Sequence, residues 1–234
     1  MRQVMPIFKK EFKAYFVSPI AYIVIAIFLL VTGWFFFATF FLLNQASLRN
    51  FFSLLPIIFS FIIPAITMRL VSEELNVGSY ETLLTMPVTF TDVVFGKFLA
   101  SVGFIAVMLI PTLAYPFSVA MLGQLDWGPV TGGYLGAILL GAAFSAIGLF
   151  SSALTRNQII AFIIGMLICF TLTLIDKMLF FLPRSLLSIF VYLGADSHFQ
   201  NISKGIIDSR DILYFFSVCF IGLYSAHLAL QEKH

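Results

Sequence analysis

The feature that most limits what this chain can fold into is a series of apolar runs, each about as long as a bilayer is thick. Crossing roughly 30 Å of hydrocarbon takes about 20 helical residues at 1.5 Å rise each. Runs of this length cover residues 20–43, 51–70, 93–122, 130–154, 159–182 and 212–230. Within lipid each backbone N–H and C=O needs a partner, so single runs of this kind become helices. Only 10% of the 234 residues are charged, whereas a soluble domain carries roughly 25%. The first run is too long for a cleavable signal, and Trp34 and a phenylalanine cluster stand where small cleavage-site residues belong. These observations predict an all-α integral membrane protein, one domain over residues 1–234, with six transmembrane helices.

An even number of crossings puts both termini on one side, and Lys and Arg decide which. Arg2, Lys9, Lys10, Lys13, Arg69, Lys97, Arg156 and Lys233 share that side. Arg49, Lys177, Arg184, Lys204 and Arg210 lie opposite, the last four in a long loop with Asp176, Asp196, Asp208 and Asp211. The excess predicts cytoplasmic termini. A net charge of +2 with no basic cluster beyond the N-terminus argues against a nucleic-acid partner.

Residues 1–18 read as a separate amphipathic helix. Val4, Phe8, Phe12, Tyr15 and Phe16 recur at helical spacing opposite Lys9, Lys10 and Lys13. Pro6 suits the first turn and Pro19 marks the end. Such a helix is expected flat at the headgroup level of the lipid membrane. The outer segment 183–211 contains an apolar run from Leu186 to Leu193, too short to span, followed by Ser197-His198-Phe199-Gln200-Asn201, which reads as solvated.

Catalytic chemistry is hard to find. His198, His227 and His234 have no metal-ligand spacing, and no two carboxylates share a span at i, i+3 or i+4. No Walker A or dinucleotide fingerprint occurs. Cys169 and Cys219 sit mid-span, which argues against a disulfide framework or a metal site. No enzyme activity, metal or cofactor is therefore expected of the chain.

Small residues recur every four positions in two spans. Gly133, Ala137, Gly141 and Ser145 suggest close packing within the chain. Ala161, Gly165, Cys169 and Thr173 suit either internal packing or a homodimer seam. Pro56, Pro64, Pro111 and Pro116 predict bends in the second and third spans. Phe35, Phe36, Phe37, Phe40 and Phe41 make the first span's surface strongly aromatic.

The polar stretch 69–97 stands apart, with Glu73, Glu74, Glu81 and Asp92 set between apolar runs. Carboxylates are too costly to leave unpaired in hydrocarbon, so it belongs in water. Gly78-Ser79 can end one helix and start another, with Ser79 as cap and Glu81 in the first turn. Leu83, Leu84 and Met86 form an apolar contact and Pro87 ends the piece. Thr89 and Asp92 resemble a capping box at the start of the third span. A plain turn between antiparallel helices needs about two to eight residues, so this longer segment suits contact with a soluble partner.

The pattern Arg69-x-x-x-Glu73-Glu74-x-x-x-Gly78-Ser79-x-Glu81-x-Leu83-Leu84-x-x-Pro87-Val88, then Gly96-Lys97-Phe98, resembles the cytoplasmic loop of ABC-2-type transporter permeases. Residues 44–49 and 151–158 resemble the gliding-motility-type subgroup of these permeases. The resemblance implies an ABC-2, type V exporter-like fold: six spans after an interfacial helix, assembled as a permease homodimer or paired permease. It implies a cytoplasmic ABC ATPase subunit, encoded separately, that binds ATP and Mg, and a prokaryotic inner membrane. The coupling loop becomes residues 72–92. Its docking helix carries Ser79, Tyr80, Glu81, Thr82, Leu83, Leu84, Met86 and Pro87, with Glu73 and Glu74 in the approach. Dimer contacts through the first and fifth spans agree with Ala161, Gly165, Cys169 and Thr173, and an extracytoplasmic accessory protein is a further candidate partner. The implied function is ATP-driven export; the alternative is a non-transporting membrane anchor of an ATPase-driven envelope or motility complex.

Overall fold

A computed structural model of the chain describes residues 3–43, 47–78, 89–178 and 192–232, and these contain helices without strands. Among the described residues six helical stretches are long and apolar enough to cross a membrane: Pro19–Phe40, Arg49–Val77, Phe90–Leu122, Trp127–Leu154, Gln158–Met178 and Ser209–Gln231. The elements are α1 (Val4–Val17), α2 (Pro19–Leu43), α3 (Arg49–Thr67), α4 (Arg69–Val77) and α5 (Phe90–Leu109). A 3₁₀ turn (Ile110–Leu113) leads to α6 (Ala114–Leu122), followed by α7 (Trp127–Leu154), α8 (Gln158–Met178), α9 (Ala195–Ser203) and α10 (Ser209–Gln231).

Helix α7 is the axis of the bundle, packed by α10, α3, α8, α9 and α5. Its most apolar window is 72% buried, against 22% for those of α2 and α8. Glycine makes this centre possible. A Cβ on Gly133 would enter the ring of Phe52, one on Gly148 would meet Thr67, and one on Gly222 of α10 would lie 2.9 Å from the Ala146 backbone. Without a hydrophobic drive between helices in lipid, such close van der Waals contact is what associates them. The expected stripe Gly133, Ala137, Gly141 and Ser145 is buried within the chain.

The prolines act differently in the two spans. Pro56 and Pro64 lie inside α3, which continues through both as α-helix. At Pro111 the α-helix gives way to the 3₁₀ turn, and Pro116 sits in the first turn of α6 that follows. Pro116 has no N–H for the carbonyl four residues back, that of Thr112. Tyr134 of α7 supplies the donor instead, its hydroxyl 2.9 Å from that oxygen. Among the first-span aromatics, Phe36 is buried and stacks on Tyr115 at 4.8 Å, while Phe35 and Phe37 are exposed. The side chain of Phe41 lies outside the description.

Pro19 ends α1 as expected, since it forces Ser18 into an extended conformation after Val17, and it also begins α2. One local expectation changes. Residues 197–201 are not a solvated stretch: they belong to α9, where Ala195, Phe199 and Ile202 are buried. Their i, i+4, i+7 spacing makes one apolar face. The polar member is satisfied inside, with His198 Nδ1 2.6 Å from Asp211 Oδ1 of α10 and the imidazole stacked on Tyr214 at 4.2 Å. Apart from Tyr192 and Leu193, the run 186–193 lies outside the described residues.

Candidate functional site

The polar segment is built on a broken helix. α3 ends at Thr67 and α4 starts at Arg69. In an unbroken helix Val71 N–H would donate to Thr67 and Ser72 N–H to Met68. Here both donate to Ser152 Oγ of α7, at 3.1 and 3.0 Å. That hydroxyl in turn donates to the Met68 carbonyl at 2.7 Å, which also accepts from Ser72 Oγ. One side chain from the central helix thus clamps the elbow. Leu70, Val71 and Leu75 then bury α4 in a second core with Leu149 and Ala153 of α7 and Leu223, Ala226 and Leu230 of α10. The last turns of α7 and α10 therefore share one end of the bundle with α4.

The elbow is also held electrostatically. Lys97 of α5 is 1% exposed, and its ammonium lies 2.8 Å from Glu74 of α4 and 3.2 Å from Glu11 of α1. Its third acceptor is the Leu70 carbonyl at 2.6 Å, so all three ammonium hydrogens have partners. A single buried charge ties together three elements that are distant in sequence. Glu74 Oε2 is buried with no hydrogen-bond partner among the described residues. Glu73 faces away and pairs with Arg69 at 3.0 Å within α4, a half-buried i, i+4 contact.

Helix α1 completes the base. Its apolar face lies on α5, where Ile7 covers Gly96 and Phe12 covers Gly103. Tyr15 stacks on Phe104 at 4.9 Å, and Phe16 packs against the same ring at a tilt, 5.8 Å away. The rings of Phe8, Phe12, Tyr15 and Phe16 are half-buried against protein, while Lys9, Lys10 and Lys13 remain exposed. Burial raises the Tyr15 phenol well above its usual range, and the Glu11 carboxylate adds to the effect. Its hydroxyl remains a donor, aimed at the Ile66 carbonyl 3.4 Å away.

Both ends of the intervening loop are capped. Gly78 closes α4 in the left-handed region at φ 76°, a conformation that costs glycine little. Thr89 opens α5: its hydroxyl accepts from Asp92 N–H at 3.2 Å and donates to the Asp92 carboxylate at 2.8 Å. The expected capping box is therefore present. Between them, Ser79, Tyr80, Glu81, Thr82, Leu83, Leu84, Met86 and Pro87 lie outside the described residues.

Residues 5–189 match the family model described as ABC-2 family transporter protein. This chain belongs to the ABC-2 family. Comparison with curated proteins finds no match. The match spans α1 to α8 and includes the elbow, the Lys97 contact and residues 79–88 of the sequence. As an ABC-2 permease the chain is a multi-span membrane protein of a transporter family whose membrane subunits are generally non-catalytic and work with an ABC ATPase.

In this permease the four residues expected at a homodimer seam point inward. Ala161, Gly165, Cys169 and Thr173 are all buried within the single subunit. A Cβ on Gly165 would lie 2.7 Å from Ser151 Oγ of α7 and 3.4 Å from Pro64 of α3. The small residues let α8 approach its own neighbours, and the internal-packing alternative describes them. The face of α8 left open is the opposite one, carrying Ile159, Ile163 and Leu167. Sequence reasoning found Glu74 but not its partners. Lys97 looked like a loop cation, although its place beside Gly96, in an otherwise apolar helical run, was a signal of burial. Nothing in local spacing pointed to Glu11 or Ser152, which act across 86 and 80 residues or more.

Proposed function

We propose that this permease is the transmembrane subunit of an ATP-driven exporter and that its partner ATPase engages residues 79–87. The single observation carrying this reading is the fastening of α4. The loop's leading helix is clamped by Ser152 to the central helix and by Lys97 to α5 and α1. A push on the loop therefore reaches the spans as movement of a braced lever rather than as local bending. Without that brace, the stroke of an ATPase would be absorbed by α4 alone.

Both termini, and the loop with them, face the cytoplasm of a prokaryotic inner membrane in this reading. The basic residues of α1 and the shared end of α4, α7 and α10 support it. The permease pairs with a second copy or a related permease. Its contact surface uses the open apolar faces of α2, with Ile23, Ile27, Leu30 and Trp34, and of α8, with Ile163 and Leu167. ATP and Mg belong to the ATPase. Within the family, placement in the gliding-motility-type subgroup is supported by residues 151–158, the segment that supplies the Ser152 clamp. An extracytoplasmic accessory protein would meet the opposite end, around α9.

The test is coupling in vesicles containing permease and ATPase. Replacing Glu81 or Leu84 should leave the assembled complex intact and separate ATP hydrolysis from substrate movement. Unchanged coupling in both variants would overturn the proposal.

A further inference from the structure

A cleft opens between α1, the start of α2 and the α3–α4 elbow, beside the Lys97 contact. Its mouth carries Glu11, Tyr15, Arg69 and Glu73, and its floor is apolar, with Ala21, Val24, Ile66 and Phe104. Ala14 and Ile20 on its rim are exposed, so it is accessible from outside the bundle. Polarity therefore falls with depth, from ionised groups at the elbow to hydrocarbon one to two turns along α2. A glycerophospholipid has the same order of polarity from headgroup to acyl chain.

The charges narrow the class. One guanidinium and two carboxylates surround the mouth. Glu11 is engaged by Lys97 at 3.2 Å, and Arg69 holds Glu73 through one oxygen at 3.0 Å, the other being only 3.5 Å from the guanidinium. An anionic headgroup would set a second negative charge against Glu73 and Glu11. A headgroup that brings its own cation does not. We propose that this cleft binds one zwitterionic phospholipid carrying a primary ammonium, of the phosphatidylethanolamine class. Its phosphate sits on Arg69, its ammonium on Glu73, and an acyl chain lies along Ile20, Val24 and Ala65, the apolar lining residues that keep open surface. Charge-assisted hydrogen bonds to both groups give the selection. A trimethylammonium headgroup, having no N–H, satisfies only the phosphate half. The site stands independently of export and of the loop's partner.

The experiment uses the full chain, purified in mild detergent and equilibrated with mixed micelles of phosphatidylethanolamine, phosphatidylglycerol and phosphatidylcholine in equal amounts. Retained lipid is read by native mass spectrometry. The expected result is one phosphatidylethanolamine per chain, preferred about tenfold over each competitor, the ratio expected from one strong polar contact. Glu73→Gln should bring it to the level of phosphatidylcholine. Ala65→Phe, which fills the apolar floor without touching the ion pair, should abolish retention while circular dichroism shows the helices intact. Three outcomes would overturn the proposal: retention in proportion to the mixture, retention unaffected by both substitutions, or a preference for phosphatidylglycerol that disappears when Lys9, Lys10 and Lys13 are neutralised. The last would mark ordinary attraction of a basic helix to anionic lipid.

Discussion

Replacing Lys97 by methionine is the sharpest test of how the elbow is held. The ammonium has three acceptors, and its two carboxylate partners have side chains only 14% and 16% exposed. Lys97→Met preserves the volume of the stem but leaves Glu74 without a cation and Glu11 with only the exposed Lys10 ammonium 3.8 Å away, and the Leu70 carbonyl loses a donor. Removing one member of a buried ion pair costs about 3–5 kcal/mol, most of it the stranded charge. The residual exposure of both glutamates argues for the lower end, about 3 kcal/mol. The same reasoning predicts rescue. Once Glu11→Gln and Glu74→Gln are added, no charge remains stranded, and the triple variant should recover most of the loss. Equilibrium unfolding by SDS titration in mixed micelles, followed by circular dichroism, measures both. A coupling of at least about 1.5 kcal/mol between the lysine and glutamate substitutions is expected for groups in direct contact. A Lys97→Met chain within about 0.5 kcal/mol of the parent, the scatter of an ordinary surface substitution, would refute the reasoning. So would a triple variant no more stable than the single.

The same titration checks the packing. Gly148→Ala pushes a methyl onto Thr67 of α3 and should cost about 1–3 kcal/mol, with much of it restored by Thr67→Ala. Tyr134→Phe takes the hydroxyl donor from the Thr112 carbonyl opposite Pro116, leaving it the Ala114 N–H, and should cost about 1 kcal/mol, whereas Tyr22→Phe on an exposed face should be neutral. At the other end, His198→Gln removes the contact to Asp211. Hydrogen exchange should then quicken across Ala195–Ser203 and stay unchanged in the central helix.

What could be read from the chain alone follows the range of the interactions involved. Run lengths located the spans because the bilayer imposes one length on every crossing. Thr89 with Asp92, and Gly78, announced helix ends because caps are local, within three or four residues. The breaks were less legible. Four prolines looked alike in sequence, yet Pro56 and Pro64 sit in continuous helix while Pro111 and Pro116 accompany a 3₁₀ turn, because the outcome depends on what neighbours supply. At the latter site Tyr134 supplies it. The stripe Ala161–Thr173 showed correctly that something approaches α8 closely, but periodicity carries no address: the approaching surface is α3 and α7 of the same chain. The residues that hold the elbow, Glu11, Lys97 and Ser152, converge only when α1, α5 and α7 are packed, so no spacing rule joins them. His198 was misread for the same reason, since its partner Asp211 lies on the next helix.

Site-specific crosslinking from the loop bears most directly on the claim that residues 79–87 take up the work of the ATPase. Cys169 is fully buried and Cys219 half-buried in α10, so a Cys219→Ser background leaves a single added cysteine as the accessible thiol of the permease. With the permease and its ATPase together in membranes, Leu84→Cys carrying a short photoactivatable linker should crosslink to the ATPase, and ATP should change the yield. Gln124→Cys at the opposite end of the bundle should not crosslink. Crosslinks absent from positions 79, 81 and 84 of an active complex, but present from Gln124, would contradict the account.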